Sequence, residues 1–259
     1  MTNPSLYEPV EYEDSQHRYS YGGHRYLSAT QIVEKFCVPF DALAVATRYA
    51  QKNGFTAQYW MDQWEQKNLR SKERGNYIHA ANELSLHGRM IDRWQGQTIT
   101  VQGDSITDAV PWIQRPDGVY LERKVWHHGM RTAGRVDKII LYTDPNNRSR
   151  RYVDIQDYKT NERLEKVSYQ FKGSGNYKMM LPPLGYIMDS NWWHYQLQLS
   201  LYMFMMEYQG FIPGEMAIIY YPHPTADDKG NLVDPPRQIH PVTYMKKEVL
   251  SMLSYLRRA

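Results

Sequence analysis

Cysteine is almost missing from this chain: Cys37 stands alone among 259 residues. A single thiol excludes intramolecular disulfides, Cys-rich zinc sites and an iron–sulfur cluster held by four thiolates of this chain, so a metal is expected to take oxygen or imidazole donors. Long apolar runs are missing too. No stretch approaches the roughly 20 apolar residues of a membrane span, and the polar, acidic segment Met1 to Tyr12 has no signal-peptide core, so the expectation is a cytoplasmic protein without a membrane partner. Neither sign of charge dominates, with 31 Lys+Arg against 28 Asp+Glu, a balance that permits a nucleic-acid partner without requiring one. The phosphate loop G-x-x-x-x-G-K-[ST] and the dinucleotide fingerprint are absent, which removes the nucleotide-binding reading that Gly173-Ser174-Gly175 invites.

What the chain does have is aromatic residues, 14% of the total, and enough length for one large domain with a sizeable core, so disorder is excluded as its main state. His17 to Leu27 alternates aromatic and polar residues around Gly22-Gly23, predicting a short hairpin that displays Tyr19, Tyr21 and Tyr26. Ser28 then caps a helix over Ala29 to about Phe36. Asp41 to Gly88 is patterned as helix, and after about Gly96 the texture turns to strands: Thr98 to Val101, Gly118 to Lys124, Gly134 to Tyr142 and Tyr152 to Tyr158. Asp144-Pro145-Asn146-Asn147 predicts an antiparallel hairpin with a loop longer than the tight two-residue type. Phe171 to Gly185 reads as a mobile surface loop. Ser190 caps a helix to Tyr208 with Trp193, Leu197, Leu201 and Phe204 as its buried stripe. A strand over Glu215 to Tyr221, a turn at Asp228-Lys229-Gly230-Asn231, a returning strand over Gln238 to Tyr244 and an amphipathic helix over Met245 to Arg258 complete the chain. The economical expectation is a single α/β domain over 1–259, with 1–96 mainly helical and 97–259 a mixed central sheet with flanking helices.

Strand alternation puts Val153, Ile155, Asp157 and Lys159 on one face, and Asp137, Ile139 and Leu141 on another shared face. A carboxylate on a core-directed face is costly unless it is paired, hydrogen-bonded or bound to a cation. Asp137 and Asp157 lie 20 residues apart, enough for two strands and a turn to bring them to one end of a sheet, where Mg²⁺ or Mn²⁺ would find oxygen ligands. Taken alone, Asp157-x-Lys159 is most simply an ion pair at a strand end. His79 and Glu83 share a helix face at a spacing that suits metal ligation or a plain surface hydrogen bond. His194, Gln198 and Tyr202 recur at i, i+4 and i+8 as a polar-aromatic stripe on a second helix.

Several motifs occur in order: Gly75-x-x-x-His79, Gly134-Arg135-Val136-Asp137, Asp157-Tyr158-Lys159 and Gln198-x-x-x-Tyr202. In this order they resemble the RecB-like exonuclease branch of the PD-(D/E)XK nuclease superfamily. Tyr26 to Ile32 is also similar to the S-x-T-x-[IL] segment of phage and mitochondrial genome maintenance exonucleases, and the resemblance spans about residues 26 to 221. It implies a restriction-endonuclease-like fold and a metal-dependent DNA exonuclease serving replication, recombination or repair, in a bacterial or phage-infected cytoplasm. His79, Asp137 and Asp157 would ligate Mg²⁺ or Mn²⁺ together with the Tyr158 carbonyl, and Lys159 would be the catalytic lysine beside Asp137 and Asp157. Glu122 occupies the place of an additional acid, while Gln198, Tyr202 and Arg135 would contact DNA or support the site. The implied partners are DNA, as a single strand or a duplex end, and a helicase, annealing or single-strand-binding protein. Asp157 stands where glutamate is commoner, one methylene shorter in reach. The four-cysteine cluster of helicase-linked members is absent, so their cluster functions do not transfer. A flap endonuclease and a non-catalytic DNA-binding protein on the same fold are the competing readings. Arg123, Lys124, Arg131, Lys166, Lys172 and Lys178 are further candidates for phosphate contacts, and Tyr169, Tyr177, Trp192 and Trp193 for base stacking.

Overall fold

Ser28 accepts the amide of Gln31 while the Gln31 side chain accepts the amide of Ser28, a reciprocal box that starts the first helix where the sequence places it. The computed structural model describes residues 7–87, 91–94, 97–102, 106–171, 173–227 and 229–258. In chain order its elements are β1 (Glu11–Glu13), β2 (Arg18–Tyr21), β3 (His24–Ser28), α1 (Ala29–Glu34), α2 (Ala42–Asn53), α3 (Ala57–His87), β4 (Ile91–Trp94), β5 (Gln97–Thr100), β6 (Gly118–His127), β7 (Thr132–Asp144) and β8 (Asn147–Lys159). These are followed by α4 (Asn191–Tyr208), β9 (Ile212–Tyr220), β10 (Thr225–Ala226), β11 (Leu232–Val233), β12 (Gln238–Val242) and α5 (Lys246–Arg258). The helix end expected at Gly88, the boundary expected at Gly96, and the residues Lys172 and Asp228 lie outside the described residues.

The fold is mixed α/β: an eight-stranded sheet ordered β1-β2-β3-β7-β8-β9-β12, with β6 also on β7, flanked by helices and preceded in part by the helical pair α2–α3. β7 is its central strand. β6 runs antiparallel along one edge of β7, from Thr132 to Leu141. The opposite edge is shared, with β3 parallel at Thr132 and Ala133 and β8 antiparallel from Lys138 to Asp144. Between these two neighbours the edge of β7 forks, and Asp137 stands at the fork. Ile139, Leu141, Val153 and Ile155 all pack into the main core with α4, so the alternation expected within each strand holds, and Asp137 and Asp157 continue it toward that helix.

Five expectations change. Ser190 holds the N-cap position of α4, but its hydroxyl donates to the Lys166 carbonyl and makes no cap hydrogen bond. Asp144 pairs with Asn147, leaving only Pro145-Asn146 in the turn, because the Asp144 side chain accepts the Asn146 amide and tightens it. Tyr19 and Tyr26 are buried, not displayed: the hairpin carrying them is a part of the main sheet, and the Tyr26 hydroxyl meets His128 Nδ1 at 2.7 Å. The segment from Phe171 to Gly185 is exposed at its start and again at Leu181, Pro182 and Gly185, but it is anchored between these stretches. Met180 and Leu184 sit in the core, and the Leu181 amide donates to the Phe36 carbonyl. Lastly, α4 has no single apolar stripe. It packs against β6 to β9, α1 and α5, so Trp192, Leu199, Met203, Met205 and Met206 are buried as well, whereas Trp193 and Phe204 are only half-buried.

α3 is fastened to the sheet by polar contacts. The Arg74 guanidinium donates to the carbonyls of Thr160, Tyr221 and Pro222 at 3.2, 3.3 and 2.8 Å, and the Tyr221 hydroxyl donates to Asn82. Gly75 follows Arg74 because a Cβ there would press on Thr160 Oγ1 at 3.3 Å. Among the described residues, no helix is long and apolar enough to cross a membrane.

Candidate metal centre

The polar residues of this centre and of the network beside it come from six elements. α3 supplies His79, whose Nδ1 lies 3.5 Å from Glu122 Oε1 and 3.5 Å from Asp137 Oδ1. β6 supplies Glu122. The pairs Leu121–Lys138 and Arg123–Val136 place Glu122 across from Asp137, and its backbone takes the left-handed conformation with φ 51°, uncommon for a residue with a side chain. β7 supplies Asp137, one step beyond the Lys138–Gln156 pair and hence opposite Asp157 of β8. The ligand atoms of His79, Glu122 and Asp137 all lie within 4.8 Å of one another, one imidazole nitrogen and two carboxylates, a donor set suited to Mg²⁺ or Mn²⁺.

Asp157 stands beside this trio. Its Oδ2 pairs with Lys159 Nζ at 2.5 Å, and Lys159 donates onward to Gln198 Oε1 at 3.2 Å while its ammonium lies 4.5 Å from the Tyr195 ring centroid. Gln198 Nε2 in turn faces Tyr202 Oη at 2.9 Å and Thr30 Oγ1 at 3.2 Å. The three fixed positions of Ser28-x-Thr30-x-Ile32 thus act differently, for Ser28 caps the helix, Thr30 meets Gln198, and Ile32 is fully buried. Tyr158 enters through its backbone, the amide donating to Asp137 Oδ2 at 2.6 Å, while its ring packs edge-on to His79.

Crowding sets the electrostatics. Burial pushes the Asp137 carboxyl well above the carboxylate range, and the neighbouring Asp157 pushes it further. Burial pulls His79 down, yet the surrounding Glu122, Asp137 and Asp157 outweigh it and raise the imidazole to about 9. The Lys159 ammonium is disfavoured by burial but held by Asp157 and Asp137, with a net rise. Acids packed this closely beside a histidine are what a cation would stabilise.

An open cleft of about 780 Å³ lies over these groups, lined on one side by Lys67, Lys72 and Gly75 of α3 and on the other by Glu122, Arg135, Tyr158 and Lys159. Arg135 lies over the Tyr12 ring at 4.7 Å and lines this cleft, as does Glu83. Several other expected DNA contacts are occupied elsewhere. Lys124 pairs with Asp108 and donates to the Val10 carbonyl, Lys178 pairs with Asp189, and Lys166 lies over Trp192, itself a core residue. Tyr169 and Tyr177 remain exposed. Arg74, which fixes α3, carries no signal in the sequence: an arginine among charged helix residues looks like a solvated one, and only the carbonyls it meets distinguish it. No protein-family model and no curated protein matches the chain.

Proposed function

We propose that the protein is a divalent-metal-dependent deoxyribonuclease of the PD-(D/E)XK type, acting as an exonuclease on DNA. The observation that carries this reading is the meeting of His79, Glu122, Asp137, Asp157 and Lys159 where the end of β8 meets the fork in β7, under an open cleft. Three donors of the right chemistry converge and a lysine is tethered beside them, which an ordinary strand-end ion pair does not require.

His79, Glu122 and Asp137 would hold Mg²⁺ or Mn²⁺, with Asp157 adjoining. Such a cation supplies Lewis-acid stabilisation of a phosphoryl oxygen and lowers the pKa of a bound water. Lys159, positioned by Asp157 and Gln198, presents a fixed ammonium that counters negative charge growing on the scissile phosphate and can orient the attacking water. Asp137 is oriented by the Tyr158 amide. Arg135, facing the same cleft, offers a guanidinium to a neighbouring phosphate.

A time course on end-labelled linear DNA with Mg²⁺ or Mn²⁺, with and without EDTA, tests this beside Lys159→Ala. The expected result is cleavage that EDTA and the substitution both abolish. Absence of cleavage by the parent protein, with DNA binding that survives Asp157→Ala, would instead support a non-catalytic DNA-binding protein. Circular DNA cut as fast as linear DNA would replace the exonuclease by an endonuclease.

A further inference from the structure

A second group of ligating side chains lies on another part of α4. Cys37 follows α1, Asp189 precedes the first turn of α4, and His194 stands one turn before Gln198. His194 Nε2 lies 3.3 Å from Cys37 Sγ and 2.7 Å from Asp189 Oδ1, so one ring nitrogen faces both other donors. That arrangement differs from a nucleophile–histidine–acid relay, in which the two ring nitrogens serve different partners.

We infer that Cys37, Asp189 and His194 form a binding site for a zinc-class transition-metal ion, with a position left open for water. The three ligand atoms lie within 4.8 Å of one another. A tetrahedral zinc ion has Zn–S of about 2.3 Å and Zn–N or Zn–O of about 2.0 Å, spacings that small side-chain rotations reach from here. Sulfur and imidazole select zinc and its neighbours over magnesium, which prefers an all-oxygen shell.

The surroundings hold the carboxylate in place for this. Asp189 has a side chain only 1% exposed, and its other oxygen, Oδ2, accepts from the Val38 amide at 2.9 Å and from Lys178 Nζ at 2.9 Å. Outer contacts of this kind fix a ligand's orientation and leave Oδ1 directed at the gap between His194 and Cys37. Lys178 also balances charge: thiolate and carboxylate against ammonium and a dication leave one net positive charge, which the open face can hydrate. Burial pushes the Cys37 thiol up to about 12, so without an ion it is a protonated, unreactive donor to the Val33 carbonyl. Ion binding forms the metal–sulfur bond and releases the thiol proton to solvent, with no change of oxidation state.

The site joins the segment after α1 to the start of α4, the helix that also carries Gln198 and Tyr202. It is independent of the carboxylate centre and of the proposed nuclease activity. The sole cysteine makes the test specific, because a thiolate-to-cobalt charge-transfer band in the full chain can arise only at Cys37.

Titration of the intact protein with Co²⁺ should give that band with a stoichiometry of one per chain, together with visible bands of tetrahedral cobalt, and Zn²⁺ should bleach them. Cys37→Ser and His194→Ala should abolish the charge-transfer band or weaken cobalt binding at least tenfold while retaining the parent's circular dichroism. Asp137→Asn, which alters only the other centre, should leave the band unchanged. A folded parent protein that takes up cobalt without a thiolate band would overturn the inference. So would a band that persists at full strength in both His194→Ala and Asp189→Asn.

Discussion

The ring of Tyr202 occupies the space that Gly134 leaves by having no side chain: a Cβ at Gly134 would collide with the ring edge. The glycine that opens Gly134-Arg135-Val136-Asp137 and the tyrosine that closes Gln198-x-x-x-Tyr202 are therefore two sides of one contact. The ring is enclosed, and its hydroxyl is within hydrogen-bond reach of the Gln198 amide nitrogen, on the residue that holds Lys159. A backbone position on β7 thereby helps set the place of an ammonium on β8.

Gly134→Ala should accordingly do more than crowd the core. Overpacking at such a site costs about 1–3 kcal/mol, and displacement of Tyr202 should carry Gln198 with it. The expected outcome is a lower denaturant midpoint together with reduced DNA cleavage. Tyr202→Phe, which removes only the hydroxyl, should cost about 1 kcal/mol and keep the ring in place. Equilibrium unfolding and the end-labelled cleavage rate check both, and a Gly134→Ala protein as stable and active as the parent would contradict this account.

Glu122 should count as a metal ligand on a par with His79. His79→Ala, Glu122→Gln and Asp137→Asn are each expected to weaken Mn²⁺ binding by about tenfold or more, comparable with or larger than the loss on removing an outer-shell partner of a metal site. Asp157→Asn should weaken it less, because its Oδ2 is engaged by Lys159. Calorimetric titration of each variant with Mn²⁺ measures the order directly.

Arg74 should govern His79 from five residues away. Its three carbonyl contacts tie α3 to the ends of β8 and β9, and hydrogen bonds from a charged donor are worth about 1.5–3 kcal/mol each when buried. Arg74→Met is expected to speed amide hydrogen exchange in α3 and to weaken Mn²⁺ binding, while exchange in β7 and β8 changes little. Unaltered exchange in α3 would remove Arg74 from this role.

His127 makes a separate prediction about pH. Its ring stacks 3.6 Å from that of Tyr208, and its Nδ1 accepts the Met130 amide, so the neutral ring is the one that fits. Burial is the main cause that lowers its pKa from 6.5 to about 4. Between these two values the unfolded chain binds more protons than the folded one, so this contribution to stability is complete above about pH 6.5 and is lost as pH falls toward 4. The slope is at most about 1.4 kcal/mol per pH unit. His127→Phe should flatten the stability profile over that window relative to the parent, as read by urea unfolding at several pH values.

Much of the fold was legible where a short-range rule applied. Ser28 marks a helix start, and the alternation through Asp137, Ile139 and Leu141 marks a shared face. Both rest on backbone geometry that a few neighbouring residues set. α4 was legible as a helix but not in its burial, because what surrounds a helix is decided by elements remote in sequence. Among site residues, Asp137, Asp157 and Lys159 could be placed together from strand period and hairpin length. The rank of Glu122, the clamp at Arg74 and the convergence of Cys37 on His194 could not, since each depends on partners far away along the chain, as distant as 157 residues for Cys37 and His194.

The sequence by itself determined the order of the principal helices and strands, which side chains share a face, and which residue types were on hand for chemistry, because these follow from local dihedral preferences and fixed periodicities. Only the tertiary structure decided which of those groups meet. The fork in the edge of β7, the left-handed turn of the backbone at Glu122 and the fastening of α3 bring separate segments within a few ångströms, where charges shift one another and a cation can be shared.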